Sequence, residues 1–200
     1  MPISFKHKLI FIHIPKNAGT AITNTLNMSD IGHHMPEYYI KKYPNEWKDY
    51  KKFAVVRNPW DRVVSNYEYA KLEKSYWHSN DGDRIFPKHK DYDLLKNLSF
   101  EKCIELLDIN PSVLKHQGWE SQNKYLKIND SYLDDIIYLK FEDLKNELES
   151  KLILNIDIPK INSSEHVEYK KYFKEEKYIN LINKIYYEDI KKLNYKFTYD

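Results

Sequence analysis

Short apolar runs alternate with amphipathic stretches along the chain. Three of these runs, residues 8–14, 53–56 and 136–139, are rich in aliphatic and β-branched side chains. Apolar runs of this length are typical of strands that are buried on both faces of a parallel sheet. A helix is predicted to begin near Ala21, after the first run, and another at Pro59, after the second. This alternation predicts an α/β fold, a three-layer sandwich around a mainly parallel central sheet.

The remaining elements are predicted from caps, chain breakers and helical spacing. Ser99 is predicted to cap a helix that runs through Leu107, and residues 141–144 are predicted to lead into another helix. Residues 174–193 have the most regular amphipathic pattern of the chain. The apolar positions of that pattern are Ile179, Ile182, Tyr186, Ile190 and Leu193. The segments predicted to hold only short elements or loops are residues 27–51, 75–90 and 158–164.

Composition and charge narrow the class of protein. The chain has 200 residues, 42% of them hydrophobic, which predicts one globular domain over residues 1–200. Its 32 basic and 30 acidic residues leave a net charge of +2, which argues against a nucleic-acid-binding protein. A single cysteine, Cys103, excludes an intrachain disulfide framework and a cysteine-based zinc site. No apolar run is long enough to span a bilayer and the N-terminus lacks a signal-peptide pattern, so we expect a cytoplasmic protein without stable membrane insertion. No pattern in the chain bears on its oligomeric state.

The loop after the first predicted strand has the features of a phosphate cradle. Its small residues, Ala18 and Gly19, are expected to let the backbone approach a ligand closely, and the amides at the start of the next helix to face an anion. Lys16 adds a full positive charge, and Thr20 adds a hydroxyl donor. The Gly-x4-Gly-Lys-Ser/Thr pattern of a Walker A loop is absent. The alternative is an ordinary strand-to-helix turn with a surface lysine.

Two of the three arginines of the chain, Arg57 and Arg62, lie in the segment after the second predicted strand. Arginine offers phosphate a planar, bidentate ligand, which a lysine cannot supply. With a helix beginning at Pro59, Arg57 at the strand end and Ser65 in the helix are predicted to reach one phosphate group. The alternative is that Arg57 and Arg62 form a structural ion-pair network.

Together, the two segments resemble those of the family-2 sulfotransferases, a group that includes carbohydrate sulfotransferases. Residues 13–20 are similar to the family's HIPKTAGTS loop, and residues 53–67 to its FxxVRNPxDRxxSxY segment. Later family segments are similar to residues 138–144, 161–164 and 172–197, so the resemblance spans nearly the whole chain.

The resemblance implies a P-loop-like sulfotransferase fold and a co-substrate, 3′-phosphoadenosine 5′-phosphosulfate (PAPS). In the family the second segment binds the 3′-phosphate, which implies that role for Arg57 and Ser65. The residues implied at the 5′-phosphosulfate are Pro15, Lys16, Asn17, Ala18, Gly19, Thr20 and Ala21. Asn17 and Ala21 depart from the family pattern, which commonly has Thr at the first position and Ser or Thr at the second. No metal is implied, because the lysine and the backbone amides take the place that Mg²⁺ has in kinases.

Sulfuryl transfer needs a stabilised leaving phosphate and a base for the acceptor hydroxyl. Lys16 is implied as the residue that neutralises the leaving oxygen. The family often carries a histidine in a KHxTAxE-like segment between the phosphate motifs, and residues 32–37 occupy that interval. His34 is the first candidate for the base and His33 the second. His13, next to the first loop, is predicted to fill space.

The acceptor is expected to be a small molecule or a carbohydrate, because a carbohydrate hydroxyl is the family's commonest acceptor. Residues 116–122 resemble a family segment near the acceptor. The aromatic residues of the middle region are predicted either to stack on a sugar or aryl ring or to pack against one another. These residues are Tyr38, Tyr39, Tyr43, Trp47, Tyr76 and Trp77.

Two other functions are open at this point. A P-loop-type small-molecule kinase would need a Walker A loop and a magnesium-binding aspartate after a strand, but Asp134 and Asp135 precede their apolar run. A non-catalytic nucleotide-binding module would bind the same ligand without transferring any group.

Overall fold

The computed structural model describes residues 2–28, 32–73, 88–156 and 167–199. Within these ranges the strands are β1 (Ile3–Ser4), β2 (Leu9–Ile12), β3 (Lys51–Val56), β4 (Lys127–Ile128), β5 (Ser131–Tyr132) and β6 (Ile136–Lys140). The α-helices are α1 (Gly19–Thr25), α2 (Pro36–Lys42), α3 (Pro44–Asp49), α4 (Pro59–Ala70), α5 (Tyr92–Leu95), α6 (Phe100–Ile109), α7 (Leu144–Leu152), α8 (Glu176–Ile185) and α9 (Tyr187–Leu193). Short 3₁₀ helices lie at Pro111–Val113, Gln117–Trp119, Gln122–Tyr125, Phe141–Asp143 and Tyr169–Tyr172. The predicted connection at 158–164 and the aromatic residues Tyr76 and Trp77 lie outside the described residues.

Four strands form a sheet in the order β1-β2-β3-β6, which confirms the predicted α/β fold with a mainly parallel central sheet. Strands β2, β3 and β6 are parallel neighbours, while β1 pairs with β2 in the antiparallel sense. The register places Phe11 beside Phe53 and Phe53 beside Ile137. Because β2, β3 and β6 run in the same direction, the loops that follow them leave the sheet at one edge. In open α/β sheets this carboxyl edge is where ligands bind.

The sheet lies in the first of two compact units, which comprises Met1–Arg57 and Ser121–Ile161. On one face, the strands pack against α1 and α7 through Leu9, Phe11, Phe53, Val55, Leu139, Ile22, Leu26, Leu148 and Leu152. The residues of the opposite face that are equally buried are Ile10, Ile12, Ala54 and Val56. Burial of both faces explains why these strands are continuous apolar runs in the sequence.

The second unit comprises Asn58–Glu120 and Asn162–Asp200. Its core joins α4, α6 and α8 through Trp60, Val63, Val64, Tyr67, Ile104, Leu107, Ile179 and Ile182. Asn58 caps α4, because its side-chain oxygen accepts hydrogen bonds from the backbone N–H groups of Trp60 (3.0 Å) and Asp61 (3.3 Å). None of the helices in the described ranges is long and apolar enough to cross a bilayer. That residues 1–200 form one domain stays a prediction.

Several element boundaries differ from those predicted. Strand β2 ends at Ile12, two residues earlier than predicted, and α1 begins at Gly19. The single helix predicted for residues 174–193 is two helices, which meet at Tyr186 (φ −110°, ψ 30°). The Tyr186 hydroxyl donates to the Trp119 carbonyl at 2.7 Å, which fixes this buried side chain at the break. The apolar spacing continues through Tyr186, so the pattern alone indicates an unbroken helix.

Candidate functional site

The loop between β2 and α1 has an unusual backbone. Lys16 and Ala18 adopt left-handed conformations, with φ values of 70° and 58°. Each such conformation costs a residue other than glycine about 1–2 kcal/mol, and strain of this kind concentrates at functional sites. Ala18 is the N-cap of α1 and gives its first amides no side-chain acceptor. Successive backbone N–H groups in such a loop form a concave site that favours an anion.

Asn17 anchors this loop to the sheet. Its side chain is fully buried, and its Nδ2 donates to the carbonyl of Val55 at 2.7 Å and to Oε1 of Gln122 at 2.8 Å. The side chain of Asn17 therefore points into the protein and ties the loop to the end of β3 and to Gln122.

A neighbouring side chain, that of His13, requires a glycine at position 19. A Cβ atom at this position would overlap the imidazole ring of His13. The ring of His13 lies 5.3 Å from that of Phe11 and 4.1 Å from that of His33, between centroids, and His13 is only 5% exposed. The space beside Gly19 that a Cβ would enter is thus filled by the His13 ring, a contact that fits the packing role predicted for His13.

Arg57 lies against the same loop. Its Nη1 donates to the carbonyl of Lys16 at 2.9 Å, and its guanidinium carbon lies 4.1 Å from the centroid of the Phe141 ring. Arg57 directly follows β3, so the structure brings the first and second predicted phosphate segments together at the carboxyl edge of the sheet.

A third cation comes from the neighbouring strand. Lys140 is the last residue of β6 and pairs in register with Val56. Burial lowers the pKa of the Lys140 amine, because desolvation disfavours the charged form. Basic residues thus stand at or just beyond the ends of three adjacent parallel strands, and the Lys140 amine also interacts with the carboxylates of Glu142 and Glu147.

The two candidate bases have different surroundings. The Nδ1 atom of His33 lies 3.0 Å from the carbonyl oxygen of His13. A carbonyl oxygen only accepts, so Nδ1 carries the proton and Nε2 of the neutral ring carries the lone pair. The ring of His34 stacks on Tyr38 with centroids 3.8 Å apart. This geometry favours His33, the second candidate from the sequence, because His33 contacts a residue beside the loop.

The second unit holds the other predicted residues. Ser65 is buried on α4, with 4% exposure. Arg62 is also buried, and its Nη1 donates to the carbonyl of Glu120 at 2.8 Å. Nδ1 of His116 accepts a hydrogen bond from the backbone of Gly118 at 3.0 Å.

Three contributions to the site were missed from the sequence. Gln122, grouped there with the acceptor side, instead contacts Asn17 and the Arg57 backbone. Phe141 and Lys140 lie in a segment that the family resemblance covers, but no spacing signal separates them from ordinary strand and helix residues. Among the aromatic candidates, Tyr39 is fully buried and donates to the carbonyl of Phe11 at 3.0 Å, which supports packing for that residue.

Comparison with protein families matches residues 2–196 of the chain to the family described as the sulfotransferase family. No curated protein and no solved structure matches the chain. The matched range includes the loop after β2, the segment after β3 and both units. The chain therefore belongs to the sulfotransferase family, whose members transfer sulfuryl groups.

Proposed function

We propose that this protein transfers a sulfuryl group from PAPS to an acceptor hydroxyl, with a carbohydrate as the acceptor class. The observation that carries the proposal is the hydrogen bond from the Arg57 guanidinium to the Lys16 carbonyl. This contact joins the two segments that would hold opposite ends of one doubly phosphorylated nucleoside.

The donor, when bound, supplies the sulfuryl group. In this proposal the loop residues 15–21 hold the 5′-phosphosulfate, and Lys16 neutralises the charge that grows on the leaving phosphate oxygen. The left-handed backbone at Lys16 and Ala18 and the absence of a side-chain cap on α1 fit an anion there. Arg57 and Ser65 hold the 3′-phosphate.

His33 is the proposed base. A neutral histidine with its proton on Nδ1 can take the proton of an acceptor hydroxyl at Nε2. The bond to the His13 carbonyl sets this tautomer and the orientation of the ring. His34, stacked on Tyr38, is the other candidate and serves as the matched comparison.

The first test is the thermal unfolding of the protein with two ligands. Adenosine 3′,5′-bisphosphate at about 100 times its Kd should add about 2.7 kcal/mol to the stability of the protein, which is about 5–11 °C in Tm. This shift should appear without any metal ion. Stabilisation by ATP with Mg²⁺ alone would instead indicate a kinase.

The second test is transfer of labelled sulfate from PAPS to a panel of carbohydrate, aryl and peptide acceptors. We expect labelled carbohydrate product, and we expect His33→Ala to abolish transfer while bisphosphate binding persists. His34→Ala should keep most of the activity. Binding of the nucleotide with no transfer to any acceptor would indicate a non-catalytic module, and loss of transfer in His34→Ala alone would assign the base to His34.

A further inference from the structure

We infer that Gln122 is a positioning residue of the donor site, which acts by holding the backbone of Arg57. The inference rests on the proposed function, because it concerns how the Arg57 guanidinium is presented to a phosphate group. Gln122 lies in the 3₁₀ helix Gln122–Tyr125 and is fully buried.

One side-chain amide satisfies both backbone groups of Arg57. The backbone N–H of Arg57 donates to Oε1 of Gln122 at 2.9 Å, and the carbonyl of Arg57 accepts from Nε2 of Gln122 at 2.8 Å. The ladder between β3 and β6 ends at Val56 and Lys140. Gln122 thus satisfies, beyond the end of the strand ladder, backbone groups that burial would otherwise leave at a cost.

The buried side-chain amide of Asn17 determines which way the Gln122 amide faces. Nδ2 of Asn17 donates to Oε1 of Gln122 at 2.8 Å and to the carbonyl of Val55 at 2.7 Å. Because Asn17 supplies a donor, the oxygen of the Gln122 amide faces Asn17 and the Arg57 N–H, and its nitrogen faces the Arg57 carbonyl. The side chain at position 122 must therefore supply both an acceptor and a donor. The glutamine amide has both, whereas an ionised carboxylate can only accept.

These hydrogen bonds fix the backbone from which the Arg57 side chain extends. The guanidinium then meets the Lys16 carbonyl at 2.9 Å and the Phe141 ring at 4.1 Å. Rotation of the Arg57 backbone would move the far end of this long side chain away from both contacts. Loss of the Gln122 amide should therefore weaken phosphate binding through Arg57.

The test compares variants that keep the length of the side chain but change its hydrogen bonding. Gln122→Glu removes the donor and Gln122→Met removes both partners, while Gln117→Glu makes the same charge change at an exposed glutamine. Calorimetry with adenosine 3′,5′-bisphosphate measures affinity at a temperature where unfolding curves show each variant folded. We expect both Gln122 variants to lose affinity by about tenfold or more, which is about 1.4 kcal/mol, and Gln117→Glu to stay within about twofold of the unsubstituted protein.

A second comparison separates positioning from general damage. In an Arg57→Ala background the guanidinium is gone, so Gln122→Met should lower affinity by no more than about twofold further, a non-additive result. The Arg57 backbone is still present there, so the loss of thermal stability caused by Gln122→Met should persist.

The remaining outcomes would overturn either the positioning role of Gln122 or the proposed function. Additive losses of affinity in the double variant, full affinity in both Gln122 variants, or failure of both to fold while Gln117→Glu folds would overturn the positioning role. Full affinity in Arg57→Ala would overturn it as well. No binding by the unsubstituted protein would instead overturn the proposed function itself.

Discussion

Substitution of Gly19 by alanine is the sharpest perturbation of the loop that the structure offers. A Cβ at this position would overlap three atoms of the His13 ring, Nε2, Cδ2 and Cε1. His13 is 5% exposed and lies between the rings of Phe11 and His33, so it has little room to move aside. We expect Gly19→Ala to destabilise the protein even though alanine suits a helix better than glycine does.

The magnitude follows from two opposing terms. Adding a methyl group to a filled site typically costs about 1–3 kcal/mol, whereas a Gly-to-Ala change without a clash stabilises by about 0.4–1 kcal/mol. The first term should dominate at Gly19, and the net loss of up to about 2.6 kcal/mol predicts a Tm lower by up to about 10 °C. In a His13→Ala background the clash disappears, so the same substitution should raise stability by about 0.4–1 kcal/mol.

Chemical denaturation of the four proteins in this double-variant cycle measures both terms. The unsubstituted protein, Gly19→Ala, His13→Ala and the double variant are compared at one temperature, with equal m-values as the check for two-state unfolding. Stability unchanged in Gly19→Ala, or destabilisation of the same size with and without the His13 ring, would refute the reasoning.

Three further predictions concern the proposed site, the cap of α4 and the buried cysteine. Lys16→Ala should lower turnover in the labelled-sulfate assay about 10²–10³-fold at saturating donor, and near-normal turnover would contradict its role. Asn58→Ala should lower the free energy of unfolding by about 1 kcal/mol, because it removes the cap of α4. Asn58→Asp keeps an acceptor oxygen at this position and should lose less stability. Equal losses for the two variants in urea titrations would contradict the capping role. Burial raises the pKa of the Cys103 thiol to about 12, so a disulfide reagent at pH 8 should label it no faster than the protein unfolds, and rapid labelling of the folded protein would contradict its burial.

The sequence predicted the parts of the fold that local patterns determine. The apolar runs mark β2, β3 and β6 because strands buried on both faces need apolar residues at every position. Their parallel order then places Lys16 and Arg57 at one edge, and the family resemblance identifies both residues from the sequence alone.

The contacts that shape the site depend on residues far apart in the sequence. The hydrogen bonds between Gln122 and Arg57 join a 3₁₀ helix to the end of a strand. The pattern of apolar residues does not indicate which backbone groups a glutamine side chain will bond. Gly19 was expected to let the backbone approach a ligand, yet the imidazole of His13 by itself excludes a Cβ at this position, which a linear pattern cannot reveal. The break at Tyr186 was missed because the apolar spacing continues through it, while the Tyr186 hydroxyl bonds to a carbonyl far away in the sequence, that of Trp119.

The pairing of β3 with β6 has a consequence for how the protein is made. β3 meets its second parallel neighbour only when residues 136–140 have emerged from the ribosome, long after β3 itself. During that interval one side of β3 is an open edge, to which a chaperone or a second nascent chain can add a strand. Gln122 is also synthesised after β3, so its hydrogen bonds to the Arg57 backbone form only once that later part of the chain has emerged.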